Sequence, residues 1–370
     1  MRLERISLSN FRNYTHLELE PQPGLNVFIG ANAQGKSNLL EAIAMLGVGK
    51  SFRAGRDADA IRNGEERAAI GGEVVRDGER LRVACSILRT ETGARKSFSR
   101  GGRSVPYATF LGTLSVVTFI PSDLQLVTGA PALRRAFLNT ALSQQERAYY
   151  ANLARYLGAL RQKNALLRAP GEPDQTLVET YESELVRSGA SLMIARRAFV
   201  AALDREASSL HARWSGGAER LELRYLPNVP FGEQSDEEIR ESIARRLRET
   251  RAMERARRAT VVGPHRDDLA FVLDERPLAA FGSQGQQRTA VLAVKAAEYA
   301  VMRDRSGLTP LLLLDDLLSE LDEQRAAAFL GGVGAYEQAY VTATHRPAGL
   351  PERGTVFFVE AAAVRRAAAC

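Results

Sequence analysis

The run Gly30-Ala31-Asn32-Ala33-Gln34-Gly35-Lys36-Ser37 has the spacing G-x-x-x-x-G-K-S and the residue types to hold phosphate. Its glycines let the backbone turn so that successive N–H groups face an anion, Lys36 adds a compact positive charge, and Ser37 brings a hydroxyl for Mg²⁺. The surroundings suit that task. An apolar run, Leu25 to Ile29, leads in, and Leu39, Leu40, Ile43, Ala44 and Leu46 follow at helical spacing. A chance glycine-rich turn is the plain alternative, but it leaves unexplained why a lysine stands here in a chain with 45 arginines and five lysines. Nucleotide phosphates are the expected ligand.

A second set of residues lies far downstream. Leu311 to Leu314 reads as a buried strand running into Asp315-Asp316. Two carboxylates at the end of such a strand are costly unless they meet cations or donors at the sheet's edge. Asp315 fits a Mg²⁺-linked acid and Asp316 a residue that orients an attacking water; taken alone, the pair also reads as a strand followed by a helix N-cap. Ser283-Gln284-Gly285-Gln286 stands before the apolar helical run Val291 to Tyr299, so Ser283 and the Gly285 backbone form a possible second anion site at a helix N-terminus. Ser319-Glu320-Leu321-Asp322 follows the double aspartate, and His345 follows the strand Ala339 to Thr342. A γ-phosphate sensor belongs at such a strand end; a surface or core histidine is the bland reading of His345.

These residues need a scaffold, and 370 residues allow two or three compact units. With 45% hydrophobic and 25% charged residues the chain is an ordinary globular one, not a disordered or fibrous one. No segment has the length and apolarity of a membrane span, and the charged start lacks a signal peptide's apolar core, which places the protein in the cytoplasm. Cys85 and Cys370 offer neither a zinc site nor a disulfide framework, and Cys370 sits on a frayed, Ala-rich end. Strands are expected around Leu3 to Leu8 and Leu17 to Leu19, with a hairpin turning at Arg76-Asp77-Gly78 and a strand over Leu114 to Ile120. From Arg134 to Arg258 the pattern is helical and Arg-rich, with Ser235 and Glu238 as a capping box; Thr260 to Val262, Leu269 to Leu273 and Val356 to Val359 read as further strands. Three segments are therefore expected: 1–130 and 259–370 forming one α/β body from both ends of the chain, and 131–258 as a helical insertion.

The order of the pieces is similar to the ATPase head of the ABC superfamily: Walker A, a signature Ser-x-Gly-Gln, Walker B, a D-loop and a switch histidine. Within that group the chain resembles the RecF family over essentially its whole length. The resemblance rests on Leu8-Ser9-Asn10-Phe11-Arg12-Asn13-Tyr14, on Pro131 with Arg134-Arg135 and Phe137-Leu138, on Gly263-Pro264-His265-Arg266-Asp267-Asp268-Leu269, and on Leu313 to Asp316 with Ser319 to Asp322. It implies an α/β, ABC-type P-loop head with an antiparallel β subsheet and an inserted, lid-like α-helical domain. It also implies ATP and Mg²⁺ as cofactors, a weak DNA-dependent ATPase, and a homodimer that closes on DNA near single-strand gaps and stalled forks. RecO, RecR and, downstream, RecA are the implied partners in recombinational repair and the SOS response. Gly30 to Ser37 then bind nucleotide, and Ser283, Gly285 and Gln286 reach it from the other subunit. Ser37, Asp315 and Gln125 serve Mg²⁺, while Lys36, Asp316 and His345 are catalytic. Gln284 replaces the transporter signature's glycine, and Asp316 stands where a glutamate is usual, which implies slow hydrolysis. Gln125 also reads as an ordinary loop glutamine, and His265 has no assigned role.

A net charge of +6 suits a polyanion, and the arginine runs at 134–135, 196–197, 245–248 and 255–258 can track a phosphate backbone; they also read as solvated faces paired with nearby acids. Arg53 and Arg56 face either the DNA or the nucleotide side. A transporter ATPase subunit and another SMC-like head are the rival readings, as is a binding protein in which ATP is purely structural. The absence of sustained heptads between Lys36 and Asp315 argues against long coiled-coil arms.

Overall fold

A computed structural model describes residues 1–53, 55–232, 235–317, 329, 336–345 and 354–367. The D-loop segment Ser319 to Asp322 and Cys370 lie outside the described residues. The chain forms two compact units, Met1–Asp123 with Leu292–Cys370, and Leu124–Val291.

Among the described residues, the first unit holds two six-stranded sheets. One is antiparallel and is built from β1 (Arg2–Phe11), β2 (Tyr14–Leu19), β4 (Arg67–Arg76), β5 (Glu79–Thr90), β6 (Gly93–Arg100) and β7 (Arg103–Val105), in the order β2-β1-β4-β5-β6-β7. Asp77 and Gly78, both at positive φ, make the tight β4–β5 turn that the sequence indicates. The other sheet, ordered β15-β14-β3-β13-β12-β8, joins β3 (Gly24–Ile29) and β8 (Val116–Phe119) to β12 (Leu311–Asp315), β13 (Gln338–Ala343), β14 (Thr355–Glu360) and β15 (Ala363–Arg366). All its pairs are parallel except β14–β15. Helix α1 (Lys36–Val48) shares one core with both sheets, in which Leu39, Ile43 and Leu46 are clustered with Ile6, Leu8 and Ile70 and with Phe28, Leu311 and Leu313. The short α2 (Tyr107–Phe110) leads into β8. Cys85 is buried here as a free thiol.

The second unit begins with α3 (Gln125–Thr128) and α4 (Pro131–Gln145) and is dominated by α5 (Arg147–Arg168), the 40-residue α6 (Gln175–Trp214) and α7 (Asp236–Arg257). Ser235 and Glu238 form the expected capping box. A three-stranded sheet of β9 (Leu221–Leu226), β10 (Asp268–Leu273) and β11 (Arg276–Pro277) follows, then α8 (Leu278–Phe281) and α9 (Gln284–Ser306), whose second half belongs to the first unit. The helical pattern thus hides a strand, because β9 pairs with β10, which lies far downstream beyond α7. That pairing also keeps residues 259–291 with the helices in the division above.

Thr260 to Val262 is not a strand, because side chains take its backbone groups. Asn164 accepts from Thr260 N–H and Glu254 from Val261 N–H, while the Thr260 carbonyl accepts from His265 Nε2 at 3.1 Å. The segment Gly263 to Leu269 is the hub of this unit. Arg196, only 2% exposed, donates to Asp267, to the Pro264 carbonyl and to Asn139. Arg134 meets Asp268 through two parallel bonds of 2.7 and 2.9 Å. Both arginines are therefore structural, and the exposed ones of these runs are Arg245, Arg246, Arg248, Arg255 and Arg257 on α7 and Arg258 directly after it.

His265 is fixed in one neutral tautomer. A carbonyl only accepts, so Nε2 carries the proton, and Nδ1 accepts from Tyr156 Oη at 2.5 Å. Burial pushes its pKa down to about 4. Because the folded value lies below the unfolded one, near 6.5, stability is full above pH 6.5 and falls as pH drops toward 4, by up to about 3 kcal/mol. Urea unfolding of the wild type and a His265→Gln variant between pH 7 and 4.5 checks this: the wild type should lose more stability with acid than the variant.

Candidate nucleotide site

Parallel pairing sets the site. β13 lies between β3 and β12, with Ala343 opposite Ile29 and Thr342 opposite Asp315, so Gly30, Asp316 and Thr344 leave the sheet at the same carboxyl edge. Residues 278 positions apart then meet: Ser37 Oγ donates to Asp315 Oδ1 at 2.6 Å.

The loop between β3 and α1 is tightly shaped. At Gly30 a Cβ would lie 2.2 Å from the Val359 carbonyl oxygen, and Gly35, at φ 120°, has Asn13 and Tyr14 side-chain atoms 2.9 Å from where its Cβ would be. Lys36 is buried and folds back over the loop, donating to the Gly30 and Ala31 carbonyls at 2.8 and 3.0 Å. Helix α1 starts directly after Gly35 with no side-chain cap and no acid in its first turn, which leaves its N-terminus suited to an anion.

The opening motif braces this loop, a role its sequence does not reveal. Asn13 Nδ2 donates to the Gln34 carbonyl at 3.1 Å, Tyr14 Oη to the Gly35 carbonyl at 3.1 Å, and Asn38 Nδ2 to Asn13 Oδ1 at 2.8 Å. Arg12 grips Glu41 of α1 through bonds of 2.9 and 2.7 Å, and Glu41 is fully buried. From the opposite side, Ala361 and Ala362 N–H groups bond Gln34. A polar cleft of about 640 Å³ opens beside the brace, lined by Arg12, Asn13, Asn38, Arg53, Asp59 and Arg62. Arg53 bonds Asn38 at 2.6 Å and so lies on the loop's side; Arg56 is exposed.

At the Walker B end, Thr342 is the residue that sequence reading missed. Its hydroxyl, fully buried, donates to Asp315 Oδ1 at 2.8 Å and accepts from the Asp316 N–H at 2.9 Å. Asp316 holds a left-handed backbone, φ 50°, which few non-glycine residues adopt, and the Thr342 bond helps to hold it there. A hydroxyl and a carboxylate in contact are the hard oxygen donors that Mg²⁺ takes when nucleotide phosphates complete its shell, so Ser37 and Asp315 fit that ion. His345 lies exposed two residues beyond β13, with Thr344 Oγ1 3.0 Å from its Nδ1.

The remaining site residues belong to the second unit. Gln125 is exposed at the start of α3. Ser283 caps α9 in a reciprocal box: its Oγ accepts from Gln286 N–H at 3.2 Å, and Gln286 Oε1 accepts from Ser283 N–H at 2.7 Å.

Residues 2–350 match the family model of the RecF/RecN/SMC N terminal domain. The DNA replication and repair protein RecF of Listeria welshimeri is 37% identical over 99% of this chain and 100% of its own length. A solved structure of the recombination mediator protein RecF with ATP, in the RecFOR pathway, superposes with a TM-score of 0.91 at 30% identity, covering 99% of this chain and 97% of that one. The Smc head domain of Pyrococcus furiosus shares the fold at 16% identity and a TM-score of 0.56, over 99% of this chain and 95% of that one.

The brace yields a stability prediction. Arg12→Met leaves the buried Glu41 carboxylate with the Ser51 hydroxyl but no cation and should cost about 3 kcal/mol in urea unfolding. Adding Glu41→Met should recover a large part of that loss.

Proposed function

The chain belongs to the RecF family, and on that basis we propose that it is an ATP-dependent DNA replication and repair protein whose nucleotide-bound homodimer closes on duplex DNA beside a single-strand gap. The meeting of loop 30–37 with Ser37, Asp315 and Thr342 at one sheet edge carries this reading. ATP phosphates would lie in the loop, facing the backbone of Gly30 to Gly35, the first turn of α1 and the Lys36 ammonium. Ser37 and Asp315 would hold Mg²⁺, with Gln125 as its sensor; when bound, the ion offsets charge on the transferring phosphoryl group. The cleft lined by Arg12, Asn38 and Arg53 has the polarity for the rest of the nucleotide. Asp316 orients the attacking water, and its short reach makes turnover slow. His345 senses the γ-phosphate from the strand end.

Ser283, Gly285 and Gln286 act on the nucleotide of a second copy, so that ATP and dimer assembly support each other by mass action. Exposed arginines on α7 supply sequence-independent contacts to the DNA backbone. RecR and RecO are the partners this reading assigns, with RecA loading downstream, in the cytoplasm. Hydrolysis releases the clamp.

Mass in solution tests the clamp. With Mg²⁺, ATP and a gapped duplex the wild type should form a DNA-bound dimer, Lys36→Ala should stay monomeric, and Ser283→Arg should bind nucleotide yet not dimerise. A protein that binds DNA equally as a monomer without ATP defeats the reading. For the chemistry, Thr342→Val should lower ATP turnover at least about tenfold while nucleotide affinity stays within about threefold, and Thr342→Ser should restore most of it.

A further inference from the structure

Outside the Walker loop, an acidic side chain reaches the signature motif. Glu219 lies in the connection between α6 and β9, and its Oε1 accepts from Gln286 Nε2 at 2.9 Å. Its other oxygen stands 3.7 Å from Nε2 of His211, a fully buried residue near the end of α6. Burial holds that imidazole below its ordinary pKa, so the carboxylate faces a neutral ring on one side and the Gln286 amide on the other.

The Gln286 carboxamide is thereby fixed at both ends. Its oxygen accepts from Ser283 N–H, and its NH₂ donates to Glu219. A flipped amide would set oxygen against carboxylate and NH₂ against N–H, two repulsive contacts, so the carboxylate selects the orientation that closes the cap. With the cap closed, Ser283 Oγ accepts from the Gln286 N–H, which turns its own proton away from the helix. The exposed serine then presents a donor outward, as an incoming phosphate oxygen requires.

We propose that Glu219 is the positioning residue of the signature motif, orienting Gln286 and through it the Ser283 hydroxyl toward the nucleotide held by a second copy of this chain. This rests on the reading of Ser283 as a contact made in trans. Glu219 touches no nucleotide itself and acts only through Gln286.

Two quantities separate this role from a merely structural one: nucleotide affinity of the monomer, from a fluorescent ATP analogue, and the protein concentration at half dimerisation with a non-hydrolysable ATP analogue. Glu219→Ala should raise the second about tenfold and leave the first within about twofold. Glu219→Gln keeps an acceptor for the Gln286 amide and should dimerise within about threefold of wild type. Gln286→Ala should match Glu219→Ala, and the double variant should be no worse than either alone. If Glu219→Ala dimerises like wild type while Ser283→Arg fails to, the positioning role is wrong and the trans contact stands. If Ser283→Arg also dimerises like wild type, the trans contact itself is wrong. Parallel losses in nucleotide affinity and dimerisation for Glu219→Ala would overturn the proposal in favour of general destabilisation.

Discussion

The hydrogen bonding of β13 to both β3 and β12 is the constraint on which the nucleotide site depends. One strand from the last tenth of the chain separates the Walker A strand from the Walker B strand, and its register decides which atoms meet. With Thr342 opposite Asp315, the threonine hydroxyl is level with the carboxylate and with the next backbone N–H. A slip of one residue would turn that side chain to the other face of the sheet and dissolve the Ser37–Asp315–Thr342 cluster. Burial on both faces makes such a slip costly, since every residue of β13 is buried.

Several buried ions meet an opposite charge at short range. Glu41 is held by Arg12, Asp267 by Arg196, and Lys163 sits between Glu254 at 2.6 Å and Glu182 at 3.0 Å. The few lysines of this arginine-rich chain are informative in this light. Lys36, Lys163 and Lys295 are all buried, Lys36 against the Gly30 and Ala31 carbonyls and the other two against glutamates. Such pairs add little net stability over apolar packing, but breaking one leaves an uncompensated charge, so they fix the arrangement they belong to. Around the phosphate loop that means the brace from β1 and β2 holds the loop's shape without a ligand.

The two ends of the proposed reaction are built differently. In the first unit, Lys36 is held by the Gly30 and Ala31 carbonyls and Ser37 by Asp315, whereas in the second Ser283 is exposed at the head of a helix with its cap closed. In the proposed dimer the held half of one copy would meet the presented half of the other. Phe281, two residues before Ser283, is exposed as well.

By itself the sequence determined a good deal: the phosphate loop, the double aspartate, the α/β body drawn from both ends, the α7 capping box and the family. Each is a local pattern whose chemistry depends on residue type and spacing, so it can be read without coordinates. Tertiary structure alone decided the rest. Strand order and register brought Thr342 to Asp315, and neither is encoded in any short run. The strand β9, flanked by helices, exists only because β10 pairs with it, and Thr260 to Val262 stays irregular because Asn164, Glu254 and His265 take its backbone groups. Arg134 and Arg196 resemble surface arginines in sequence, yet they are ion-paired in the interior, since burial depends on what packs around a side chain. Glu219, a lone acid between two elements, gains its meaning only from the amide 67 residues away that it holds.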